Sequence, residues 1–84
     1  MKELIDTCKL MVSKDYKDRF LAEYYQTKIR RDKLSRMILK YKSGKLEFEP
    51  ISSIPLLKTQ LEAMNNYLDI LELRAKTEGI KIEF

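Results

Sequence analysis

Six apolar residues, Leu57, Leu61, Met64, Leu68, Leu71 and Ala75, recur along residues 57–75 in alternating steps of four and three. At helical periodicity this spacing puts all six on one stripe, which cannot stay in water along its whole length and must pack on a partner. A second row, Leu56, Ala63, Tyr67 and Ile70, widens the stripe into a face broad enough for more than one neighbour. The stripe constrains the architecture and is silent about activity.

A chain of 84 residues lies in the size range where one core is marginal and association of copies supplies missing burial. Charged residues make up 36% and there are only two Gly and two Pro, a balance that suits long solvated helices better than a β-fold. There is no histidine and one cysteine, Cys8. Structural zinc, an internal disulfide and a Cys/His or Ser/His nucleophile pair are therefore excluded within one chain, and neither a metal nor a cofactor is expected. The longest apolar runs are three or four residues, so neither a membrane span nor a signal peptide is expected.

The pattern predicts a single all-α domain: an antiparallel two-helix hairpin with a short N-terminal helix and an extended inter-helix connection. Residues 1–14 form the extension, with Leu4, Ile5, Cys8, Met11 and Val12 sharing one helical face and Cys8 a small core residue. Ser13 or Asp15 is suited to cap a new helix, and one continuous bent helix is the other reading. Helix 1 spans 15–43, with the stripe Tyr16, Phe20, Tyr24, Thr27, Arg31, Leu34, Ile38 and Tyr41. Gly44 follows as a left-handed ending. In the connection, 44–52, Leu46, Phe48 and Ile51 lie against the helices, and Pro50 keeps Glu49 extended. Helix 2 spans 53–79, capped by Ser52 or Ser53 with Pro55 in its first turn, and closes at Gly79 and Ile80 in a Schellman ending. The tail, 80–84, alternates apolar and polar like a short strand and docks on the hairpin or on a second subunit.

Charge is uneven. Residues 14–42 carry ten Lys/Arg against four Asp/Glu, while residues 43–84 carry five against seven. The densest cluster is Lys28, Arg30, Arg31, Lys33 and Arg36, for which phosphate is a natural counter-ion. Tyr24 and Tyr25, one turn upstream, are candidates for stacking on a base, and Thr27 for a polar contact. Two readings stand for Arg31: its head snorkels to the helix edge above an apolar stem, or it faces a bound anion. Among anionic partners a nucleic acid is the weaker fit, because no helix-turn-helix spacing is present. Glu62, Asp69 and Glu72 sit at helix-surface spacings, and no phosphate loop or general base is visible, so the chain reads as non-enzymatic.

One arrangement carries a resemblance: Tyr16-Lys-Asp-Arg-Phe-Leu-Ala-Glu-Tyr24, Lys33-Leu34, Met37-Ile38, Gly44-Lys-Leu-Glu-Phe-Glu-Pro50, Leu57-x-x-Gln60-x-x-Ala63-Met64-x-x-Tyr67-Leu68, Arg74-Ala75 and Glu78-Gly-Ile80. It resembles a family of small phage and prophage proteins related to a crAss-like phage protein. That family is similar in turn to the helical hairpin of phage proteins that counter the CBASS and Thoeris defences by sequestering cyclic nucleotide or cyclic ADP-ribose signals. The resemblance implies a homo-oligomer in the cytoplasm of the bacterial host. Its stripe residues Leu57, Leu61, Met64, Tyr67, Leu68 and Leu71 would assemble the subunits, with an anionic nucleotide held at a subunit interface. A small helical inhibitor or adaptor of a host or phage protein, and an electrostatic nucleic-acid binder, are the alternatives.

Overall fold

The computed structural model describes residues 3–83. A single 3-10 turn, Leu4–Thr7, leads into a short helix α1, Cys8–Met11, followed by two long helices, α2 (Tyr16–Lys42) and α3 (Ile54–Glu78). The described residues are all-helical, with no strand, and no helix among them is long and apolar enough to cross a membrane. The first two residues of the predicted extension and the last apolar residue of the tail, Phe84, lie outside the described residues.

Local chemistry sets the ends of each long helix. The Asp15 carboxylate accepts the Lys17 N–H at 3.0 Å, which separates α1 from α2 and rules out one bent helix. The Ser53 hydroxyl accepts the Leu56 N–H at 3.3 Å, and Pro55 sits in the first turn of α3. At the end of α2, Gly44 adopts φ +72°, and the Lys45 N–H reaches back to the Lys40 carbonyl at 2.8 Å. The end of α3 repeats this device, with Gly79 at φ +70° and the Ile80 N–H on the Ala75 carbonyl at 2.8 Å. Both are Schellman endings, and in the second Ile80 is buried against the last turn.

Three hydrogen bonds fix the register of α2 on α3. Tyr16 donates to Glu78 at 2.7 Å, Tyr24 to Glu72 at 2.6 Å, and Arg31 to Asn65 at 2.7 Å. Numbers rise along α2 as they fall along α3, so the helices run in opposite directions. The last two bonds lie seven residues apart on each helix, the repeat that keeps one seam facing the other.

Burial along that seam is graded. Phe20, Tyr24 and Tyr25 from the start of α2 and Leu68, Leu71 and Ala75 from the end of α3 form one buried cluster with Ile80. Leu71 is fully buried, at 0% exposure. Toward the connection, Ile38 on α2 is still buried, but Leu57, Leu61 and Met64 are half-buried, as is Leu34 on α2. The reason for the gradient is cover. Leu10 of α1 and Ile82 of the tail pack on the cluster, making a third layer at one end alone.

Several expectations are corrected. The packed side of the N-terminal segment holds Leu4, Thr7 and Leu10, while Ile5, Cys8, Met11 and Val12 are exposed. A 3-10 turn aligns residues three apart, which rotates this segment away from the α-helical face. Thr7, at 1% exposure, is satisfied because its hydroxyl donates to the Leu4 carbonyl at 2.7 Å and accepts from Gln26 Nε2 at 2.8 Å. Residues 80–83 form no strand; the Glu83 N–H donates to the Tyr25 hydroxyl at 3.0 Å, which holds the tail on α2. The second row of α3, Leu56, Ala63, Tyr67 and Ile70, is exposed, and Ile51 stands clear of the helices.

Candidate functional site

The cations of α2 separate into two groups. The Arg31 side chain is half-buried; its Nε donates to Asp32 at 2.7 Å and its Nη1 to Asn65 at 2.7 Å. Its polar head is therefore bound within the chain, where it bridges the seam. Lys28 is half-buried and also interacts within the chain. Arg30, Lys33 and Arg36 are exposed. The structure thus splits a cluster that looks continuous in sequence, because successive residues step around the helix by about 100°.

The polar and aromatic candidates are occupied too. Thr27 donates to the Glu23 carbonyl at 2.8 Å, one turn back. Tyr24 and Tyr25 are both buried and offer no open ring face to a base. The Tyr24 phenol is held well above its ordinary range, first by burial and then by its hydrogen bond to Glu72. These two rings belong to the core.

A different set of residues converges where the chain leaves α2. The turn at Gly44 brings the connection back along the helix, and Leu46 and Phe48 come to lie beside Met37. Lys33, Arg36 and Lys40 fall three and four residues apart on the same side of α2. Together these six residues line an open cleft of about 270 Å³. Phe48 is 58% exposed, so much of its ring faces solvent. Among the described residues, no carboxylate forms a salt bridge with Lys33, Arg36 or Lys40. Met37 and Phe48 also line a second cleft, of about 340 Å³, with Glu49, Pro50, Ile51, Ser52 and Leu57.

The opposite end of the molecule holds a network of different character. Arg74 donates to the Tyr16 hydroxyl at 2.9 Å, pairs with Glu78 at 3.2 Å, and lies over the Phe20 ring at 5.2 Å from its centroid. The Glu78 carboxyl is lowered by the hydrogen bond from Tyr16 and by Arg74, while the Tyr16 phenol is raised, chiefly by its bond to Glu78. These groups partner one another across the helix ends, and on the same stretch of α3 Asp69, Glu72, Leu73 and Lys76 line an open cleft of about 300 Å³. Among the described residues, no group of three or more Cys, Asp or Glu side chains is placed to hold a metal ion.

Sequence reasoning missed Lys40, Met37 and the role of Phe48 in this cleft. The available signal was the spacing of Lys33, Arg36 and Lys40, together with an aromatic residue soon after a helix-ending glycine. Asn65 was missed as well; it is the polar residue on α3 that answers Arg31.

Fold and cleft define a small helical protein with a cationic, aromatic-walled groove at one end. The chain belongs to the Sequestin family, whose family model matches residues 14–77. That span takes in α2, the connection and all but the last residue of α3. No curated protein and no solved structure matches the chain.

Proposed function

We propose that this chain is a phage-encoded anti-defence protein that binds and sequesters an anionic nucleotide signal, of cyclic oligonucleotide or cyclic ADP-ribose type, without converting it. The observation that carries the reading is the cationic cleft, where three positive side chains with no salt bridge among the described residues flank an exposed aromatic ring. Phosphates are recognised by such cations and bases by such rings. The name of the family it belongs to, Sequestin, agrees with capture as the activity. The resemblance to helical-hairpin sponges supports action as a homo-oligomer in the host cytoplasm. Leu56, Tyr67, Ile70 and Leu73, exposed along α3, offer the apolar surface that assembly would bury.

Calorimetry across a panel of cyclic dinucleotides, cyclic trinucleotides and cyclic ADP-ribose isomers tests this reading. The expected result is stoichiometric, reversible binding of at least one compound, recovered unchanged in mass after denaturation. No heat from any compound, or recovery of an altered molecule, overturns it. The same exposed α3 row favours a second reading, docking of a helical inhibitor or adaptor on a host or phage protein. A single stoichiometric protein partner captured with no small molecule retained would favour that reading.

A further inference from the structure

The two clefts at the connection end share a wall. Met37 and Phe48 line both, but the remaining residues differ in chemistry. On one side stand Lys33, Arg36 and Lys40; on the other stand the apolar Pro50, Ile51 and Leu57. Glu49 and Ser52 lie beside them, a carboxylate and a hydroxyl able to hydrogen-bond a base edge. Cations with no salt bridge among the described residues suit phosphate, whereas a largely apolar pocket edged by a ring, with one carboxylate and one hydroxyl for hydrogen bonding, suits a planar base. We infer that the two clefts form one bipartite site divided by Phe48, in which phosphates occupy the Lys33, Arg36 and Lys40 side and a nucleobase packs between Phe48 and the Pro50 side. This assignment rests on the nucleotide reading above and gives it a location and an orientation.

The geometry of the chain explains why the site forms here. The left-handed turn at Gly44 and the bend at Glu47 and Phe48 bring Phe48 beside the last turns of α2 without burying it. Ile51 is left fully exposed at the rim of the apolar side. An exposed aromatic and an exposed branched aliphatic a few residues apart are costly in water unless something covers them. A base entering that side would cover both.

Fragments of a nucleotide separate the two halves. We would titrate isotope-labelled full-length protein with pyrophosphate, adenosine and AMP, following backbone amide shifts. Pyrophosphate is expected to move the amides of Lys33, Arg36 and Lys40, adenosine those of Phe48, Ile51 and Leu57, and AMP both sets. A base stacked on an aromatic side chain loses that contact when the ring is removed, so Phe48→Ala should weaken AMP about tenfold while leaving pyrophosphate unchanged. Phe48 is exposed, and an unchanged helical circular-dichroism spectrum would confirm that the variant folds. AMP binding no tighter than pyrophosphate and indifferent to Phe48→Ala overturns the bipartite site, leaving an electrostatic phosphate patch. AMP shifts confined to other residues also overturn it. If a cyclic nucleotide from the panel binds but spares these amides, the location is wrong and the sequestration reading survives. A silent panel removes the sequestration reading itself.

Discussion

The two ends of the molecule are built from the same pair of helices and differ in almost everything else. At the end where α2 begins and α3 finishes, Phe20, Tyr24, Leu71, Ala75 and Ile80 are buried beneath Leu10 and Ile82. There the Tyr16 hydroxyl, Arg74 and Glu78 bind one another. At the connection end the matching stripe residues Leu57 and Leu61 are only half-buried, and the cations Lys33, Arg36 and Lys40 have no salt-bridge partner among the described residues. The contrast teaches that packing and polar pairing are concentrated at one end of the helix pair. That end ties its side chains to one another, and the other leaves three cations without a salt bridge among the described residues.

The largest effect that would test this division comes from truncating the stripe at each end. Leu71→Ala is expected to cost about 2–5 kcal/mol in urea unfolding, as for a fully buried leucine. Leu57→Ala removes a side chain still half in water and should cost about 1 kcal/mol. Equal losses would break the comparison and show that the connection end is covered in solution, as by a second copy.

Next in size are the helix endings. A Cβ added at Gly44 or Gly79 would meet nothing within 4 Å, so the cost of alanine comes from the left-handed backbone alone. Gly44→Ala and Gly79→Ala should each lose about 1 kcal/mol, read as similar falls in Tm. A much larger loss at Gly79 would mean that Ile80 leaves the core when its turn is strained, sharpening the view that this end is the more tightly coupled.

The smallest effect is the pH dependence of the packed end. The raised Tyr24 phenol favours the neutral form in the folded state. Its contribution is complete below the ordinary tyrosine value of about 10 and is lost as pH rises beyond it, because the unfolded chain ionises first. Unfolding midpoints should therefore drop above that pH, and Tyr24→Phe should flatten the drop. A variant with an undiminished alkaline slope would show that Tyr24 is not the group responsible.

Much of the fold was legible along the chain. The four-and-three spacing from Leu57 to Ala75 gives an inward stripe in α3, and Gly44, Gly79 and Pro55 mark helix ends in the places where the backbone needs them. The candidate site was legible only in part. Lys33 and Arg36 were singled out for their charge, but the same charge signal included Arg31, whose head is tied to Asp32 and Asn65. Tyr24 and Tyr25 carried an aromatic signal that belongs to the core, while the exposed ring is Phe48. The N-terminal face was misplaced because periodicity assumes an α-helix, and the chain makes a 3-10 turn there.

By itself the sequence determined the two long helices, their capping chemistry and the inward stripe of α3, since these depend on neighbours within a few residues. Only the tertiary structure decided which end of that stripe is sealed and which polar groups are already paired. It also decided that Phe48 lies beside Lys33, Arg36 and Lys40 rather than on the core. Those outcomes depend on residues far apart in the chain, such as Leu10 and Ile82 at one end and the returning connection at the other. Local periodicity carries no information about who arrives to cover a face.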